Sequence, residues 1–179
     1  MTATSARLDR VEIRDYRNLA RIELTFPEAG IVLVGDNGQG KTNLLEAIYY
    51  FQLLRSMRGA RDTDVVRFGA EGFLLRGSVG HPGPTEVAVG FDRASKRKRV
   101  QMDGTPVTRL SDALGLLPTV MVSPADSMLA GGEPSARRRF LDVLLALTSR
   151  SYLTALQKYR AALHHRNSAI CAVQQGRGN

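Results

Sequence analysis

A chain of 179 residues and 19.6 kDa, 43% hydrophobic and 23% charged, is long enough for one sizeable core and excludes a disordered chain. Its one cysteine, Cys171, excludes an intrachain disulfide framework. With no apolar run in the charged N-terminal stretch and none near the ~20 residues of a membrane span, the chain is expected to be soluble, cytoplasmic and without a membrane partner. The formal charge of +8 is one-sided: residues 1–92 carry a net −1 and residues 93–179 a net +9, which fits either a polyanionic partner or a solvated face.

Leu8–Ile13 alternates apolar and charged residues, Tyr16-Arg17-Asn18 interrupts, and Ile22–Phe26 alternates again, which predicts an antiparallel strand pair. Ile31-Val32-Leu33-Val34 is apolar at every position, as in a strand covered on both faces. Thr42–Ile48 has helical spacing, and the helix is expected to reach Phe51–Leu54. Residues 73–102 predict an antiparallel β subdomain, with Asp103-Gly104 as a tight turn, and Thr119–Val122 reads as a short buried strand. Beyond Ser123 the pattern is helical. Pro134 suits a first helical position, Phe140, Leu141, Leu144 and Leu145 share a face, and Tyr152, Leu156, Tyr159, Leu163 and Ile170 form a stripe that needs a partner surface. The closing residues 174–179 read as a frayed end. The expected divisions are an N-terminal α/β lobe over 1–122 and the start of a helical lobe over 123–179.

Gly35-Asp36-Asn37-Gly38-Gln39-Gly40-Lys41-Thr42 satisfies G-x-x-x-x-G-K-[ST] at every specified position, between an apolar run and a helix. Glycines let the backbone curl round an anion, the helix adds its positive end, Lys41 is suited to the β- and γ-phosphates of ATP, and the Thr42 hydroxyl to Mg²⁺. Hydrolysis also needs an acid at the end of a second buried strand. Asp92 precedes the basic stretch Arg93–Arg99 and reads as a turn residue; Asp126 reads as a helix cap or loop residue. Leu129-Ala130-Gly131-Gly132-Glu133 looks like an ABC signature, but Arg137-Arg138-Arg139 follows it and no Asp-Glu pair, so the glycines read as the break before a helix. The catalytic carboxylates are therefore expected to be absent.

Several groups taken in order resemble the RecF family of bacterial DNA replication and repair ATPases, relatives of SMC heads. They are Ile13-Arg14-Asp15-Tyr16-Arg17-Asn18, the loop through Ile48, Arg58-Gly59-Ala60-Arg61-Asp62, Val66-Arg67-Phe68-Gly69, Ser123-Pro124-Ala125-Asp126, Pro134–Asp142 and Tyr159–Leu163. The resemblance implies an α/β P-loop NTPase lobe of ABC/SMC-head type with an antiparallel β subdomain, followed by the start of a helical lobe. It implies ATP and Mg²⁺ as cofactors and a weak DNA-dependent ATPase. The implied partners are single-stranded or gapped DNA, RecO- and RecR-type mediators of RecA loading, and a second copy in an ATP-dependent homodimer. Such chains typically run to about twice this length, with the signature and the catalytic acids in the second half.

Arg58 and Arg61 follow the loop's helix, where SMC-type heads carry an arginine that approaches nucleotide and DNA; an ordinary exposed arginine is the competing reading. Lys96-Arg97-Lys98-Arg99 is either a phosphate-contacting run or a solvated hairpin tip. His164-His165 and Cys171 read as surface residues without metal or redox chemistry. Against the repair-ATPase reading stand a small-molecule P-loop kinase and a non-catalytic half-module completed by another chain.

Overall fold

The computed structural model describes residues 7–80, 85–115 and 117–174. These fall into two compact units, Met1–Met121 and Val122–Asn179.

The first unit is built on one antiparallel sheet. Its strands are β1 (Arg7–Tyr16), β2 (Leu19–Thr25), β3 (Gly72–Gly80), β4 (Thr85–Asp92), β5 (Arg97–Met102) and β6 (Thr105–Pro106), in the spatial order β2-β1-β3-β4-β5-β6. The alternation that predicted the strands also sets their faces. Ile13 pairs with Leu75, Leu75 with Val89 and Val89 with Val100, so one apolar row crosses four strands, and all four side chains are buried. Sequence patterning predicted a strand pair and a separate β subdomain; the β1–β3 ladder joins them into one sheet.

Helix α1 (Lys41–Leu53) covers that face with Leu44, Ala47, Tyr50 and Phe51. Each large apolar side chain so buried contributes roughly 1.5–3 kcal/mol. Close approach is possible because β3 offers Gly77, where an added Cβ would lie 3.3 Å from the Phe51 ring. Tyr16 and Tyr50 each meet Phe73 edge-on at 5.4 Å, and Phe91 stacks on Phe73 at 5.8 Å. The short helix α2 (Asp62–Val65) adds the buried Val65.

Two sequence expectations fail here. Neither Ile31–Val34 nor Thr119–Val122 forms a strand, and Val32, Val34, Val120 and Val122 are 86–93% exposed. A strand covered on both faces needs ladder partners and two covering layers, and the described residues give these segments neither. Asp92, by contrast, is the turn residue expected: it ends β4, and its Oδ1 accepts the Ser95 N–H at 2.7 Å. Hydrogen bonds from the Ser95 hydroxyl, and then from its N–H, hold the Asp92 carboxyl below the ordinary range. Asp126 accepts the Ser123 N–H and hydroxyl in a 3₁₀ turn at Pro124–Asp126.

The second unit is helical: α3 (Ser127–Gly131), α4 (Pro134–Thr148) and α5 (Arg150–Gln174). α4 opens on Pro134 as expected, after the Gly132-Glu133 break. α4 and α5 form a hairpin pinned by Asp142, which accepts from the Tyr152 hydroxyl at 2.7 Å and pairs with Arg160 at 3.3 Å. Phe140, Leu141, Leu144 and Leu145 are 41–52% exposed, so the stripe is only half covered. Of residues 174–179, read as a frayed end, Gln174 closes α5 and 175–179 lie outside the described set. Among the described residues no helix is long and apolar enough to cross a membrane, and no cluster of His, Cys, Asp or Glu has the makings of a metal site.

Candidate functional site

The site begins with a strained turn. β1 and β2 are joined by Arg17 and Asn18 alone, and both Asp15 (φ 52°) and Arg17 (φ 57°) adopt left-handed backbone. For residues with a Cβ this costs roughly 1–2 kcal/mol each. Hydrogen bonds to neighbouring segments hold it. The Arg17 N–H donates to the Val65 carbonyl at 2.7 Å, the Arg67 N–H to the Asp15 carbonyl at 2.8 Å, and the Arg17 guanidinium grips Glu46 through Nε (3.1 Å) and Nη2 (3.0 Å).

Glu46 is a fully buried carboxylate on α1, and it acts as a hub. Besides Arg17 it accepts the Ser56 hydroxyl at 2.5 Å, and Arg58 Nη1 lies 3.9 Å away. Ser56 in turn accepts the Arg58 N–H at 3.1 Å, which fixes the 56–58 segment against the helix. Hydrogen bonding to Glu46 raises the Arg17 guanidinium above its already high ordinary value. The buried pair is held by geometry: two donors of one fork on two oxygens of one carboxylate.

The turn lies directly beneath the glycine loop. Gly38 (φ 86°) and Gly40 (φ 98°) are left-handed, and Gly40 ends the loop at the start of α1 with no side chain capping the helix. At Gly40 a Cβ would come within 2.7 Å of both Asn18 Oδ1 and Leu19 Cδ2, so packing as well as backbone requires glycine there. Asn18 Nδ2 donates to the Gly38 carbonyl at 3.0 Å, and Asn43 Nδ2 donates to Asn18 Oδ1 at 2.8 Å. Lys41 turns back on the loop, its Nζ donating to the carbonyls of Gly35 (2.5 Å) and Asp36 (2.6 Å). Thr42 is exposed in the first turn of α1. First-turn N–H groups of a helix have no intrahelical acceptor, so an uncapped start, a left-handed glycine loop and a nearby ammonium together make a donor set for a polyphosphate.

The basic run does not stay together. Strand alternation leaves Arg97 and Arg99 exposed, with Lys96 at the hairpin tip, and turns Lys98 inward. The Lys98 ammonium pairs with Asp62 at 2.8 Å, donates to the Leu54 carbonyl and lies 5.1 Å from the centre of the Tyr50 ring. Tyr50 donates its hydroxyl to Asp62 at 2.5 Å; burial first, then that carboxylate, push the phenol well above its usual range. Arg61 is exposed just before α2, and Arg58, 41% exposed, donates to Asn43 Oδ1 at 3.4 Å. Sequence reasoning assigned no role to Glu46, although a polar residue in the buried stripe Leu44, Ala47, Tyr50 and Phe51 was a signal. Asn18 carried no such signal, because its role depends on a turn fold.

This loop, helix and antiparallel sheet have the fold of SMC-type ATPase heads. A solved SMC ATPase superposes with a TM-score of 0.60 at 18% identity, covering 76% of this chain and 98% of its own, which shows the fold alone. No family model matches the chain. The relatives narrow the class: DNA replication and repair protein RecF of Phocaeicola vulgatus is 38% identical over 170 residues, 94% of this chain and 46% of that protein, and RecF of Chlamydia trachomatis serovar L2 is 40% identical over 164 residues, 91% and 44%. Two solved structures of the recombination mediator protein RecF in the RecFOR pathway, one with ATPrS and one with ATP, give TM-scores of 0.88 and 0.82 at 30% and 33% identity; they cover 96% and 92% of this chain and 46% of theirs. The chain belongs to the RecF family, and it spans about half the length of the curated relatives it matches.

Proposed function

We propose that this chain is the nucleotide-binding lobe of a RecF-type protein of recombinational repair and replication. ATP is held by the backbone of Gly35–Gly40 and by Lys41, and Mg²⁺ by the Thr42 hydroxyl. The observation that carries this reading is the loop itself: left-handed glycines lead onto an uncapped helix start, beside a lysine that donates to the loop's own carbonyls. Bound Mg²⁺ would supply charge neutralisation of the phosphates. Lys41 would exchange two carbonyl acceptors for phosphate oxygens. Arg58, Arg61, Lys96, Arg97 and Arg99 are the proposed DNA contacts, with single-stranded or gapped DNA as ligand and RecO- and RecR-type proteins and a second copy as partners. Lys98 faces the core and joins them only by sequence proximity.

A specific observation also supports the half-module reading. Ile31–Val34 and Thr119–Val122 are exposed apolar segments beside the loop and at the end of the first unit, and neither described acid, Asp92 nor Asp126, leaves its turn. We infer that these segments take strand partners from further residues, which also carry the hydrolytic acids. The test is Mg-ATP binding and turnover by the 179-residue chain, with and without gapped duplex DNA. Binding without turnover, abolished by Lys41→Ala, is expected. Turnover by this chain alone refutes the half-module reading, and normal binding by Lys41→Ala refutes the site.

A further inference from the structure

We propose that Asn18 and Asn43 form a directed hydrogen-bond relay that holds the glycine loop in its phosphate-binding shape, with Asn18 as the positioning residue. The inference rests on the nucleotide reading of Gly35–Thr42 and extends it, since neither residue's side chain is part of the motif.

The relay runs from Arg58 Nη1 to Asn43 Oδ1 (3.4 Å), from Asn43 Nδ2 to Asn18 Oδ1 (2.8 Å), and from Asn18 Nδ2 to the Gly38 carbonyl (3.0 Å). A guanidinium only donates and a peptide carbonyl only accepts, so both amides have one orientation that satisfies every link. With the Gly38 carbonyl drawn towards Asn18, the trans peptide directs the Gln39 N–H the opposite way, leaving it for an anion. The Asn18 side chain also packs against Gly40, where it excludes a Cβ at 2.7 Å. One side chain thus braces two of the loop's glycines.

Backbone strain supports the assignment from a second direction. Asp15 and Arg17 are left-handed, and the strain delivers Asn18 to the loop; its energetic offset is the Glu46 and Val65 contacts of Arg17. Strain held in place by surrounding structure is commonest where a side chain has to be presented to a functional loop. Asn18 is itself exposed and contributes nothing to the apolar core, so the fold has little need of its amide.

The experiment is Mg-ATP binding by titration calorimetry on the 179-residue chain, with the melting temperature recorded for every variant. Asn18→Asp keeps the acceptor for Asn43 and replaces the donor to Gly38 with an oxygen; it is expected to weaken binding roughly tenfold or more while the melting temperature holds. Asn43→Ala is expected to weaken binding about threefold. Asn18→Ala combined with Asn43→Ala is expected to be no worse than Asn18→Ala alone, because Asn43 acts through Asn18. Binding by Asn18→Asp within about twofold of the unaltered chain overturns the relay, as does additivity of the two alanine changes or loss of folding in Asn18→Asp. If the unaltered chain itself fails to bind Mg-ATP, the nucleotide reading falls and the relay with it, so the two failures are told apart by that arm.

Discussion

Replacing Glu46 by glutamine tests the buried hub with minimal change of shape. Glutamine keeps the volume and one acceptor oxygen, but its amide group has to face a donor: Arg17 Nε, Arg17 Nη2 or the Ser56 hydroxyl, each now within 3.1 Å of a carboxylate oxygen. One charge-assisted hydrogen bond is therefore lost, worth about 1.5–3 kcal/mol. Breaking a buried ion pair from one side typically costs about 3–5 kcal/mol, because the remaining charge stays buried. Arg17, however, is 22% exposed and can recover some hydration, which places the expected loss at the lower end. Glu46→Gln should cost about 2–3 kcal/mol and lower the melting temperature by roughly 5–10 °C. Urea denaturation followed by circular dichroism measures the first, and a thermal melt the second. Adding Arg17→Met should restore at least about half the loss, since the orphaned charge is then gone. A Glu46→Gln chain within about 0.5 kcal/mol of the unaltered protein, or a double variant whose losses simply add, would refute the hub.

Other outcomes follow from neighbouring groups. The Tyr16 hydroxyl is buried with no hydrogen-bond partner among the described residues, so Tyr16→Phe should be neutral or stabilising by about 1 kcal/mol in urea denaturation. Burial is the first cause that raises both the Tyr16 and the Tyr50 phenol. A raised folded pKa adds stability below the unfolded value and loses it above, so stability should fall as pH rises past about 10, and Tyr50→Phe should flatten that limb in melts between pH 9 and 11. Gly40→Ala meets both a left-handed φ of 98° and contacts at 2.7 Å; it should cost about 1–3 kcal/mol and lose Mg-ATP binding, read by denaturation and calorimetry.

Period-2 alternation located β1 and β2, and apolar runs between turns placed the strands of residues 73–102, because each strand hides one face and shows the other. Val11 and Ile13 in β1, or Val87, Val89 and Phe91 in β4, could not change face without exposing a row of apolar side chains. The same rule misleads at Ile31–Val34 and Thr119–Val122. An all-apolar run states that a strand would be buried, but burial depends on partners, and the described residues offer none. It misleads again at Lys96–Arg99, where a charge run looks uniform along the chain and alternates in space: Lys98 lies with Tyr50 and Asp62 while Arg97 and Arg99 face out.

By itself the sequence determined the glycine loop and the helix that follows it, since Gly35–Thr42 is a local pattern whose glycines, lysine and helix start lie within eight residues of one another. It determined the strand faces and the helix starts for the same reason: periodicity and capping are short-range. Only the tertiary structure decided what supports the loop. Asn18 reaches Gly38 across 20 residues of chain and Arg17 reaches Glu46 across 29, through a turn whose strain is offset by backbone partners at Val65 and Arg67. No local signal encodes such pairs, because each exists only once the β1–β2 turn has been laid under the start of α1.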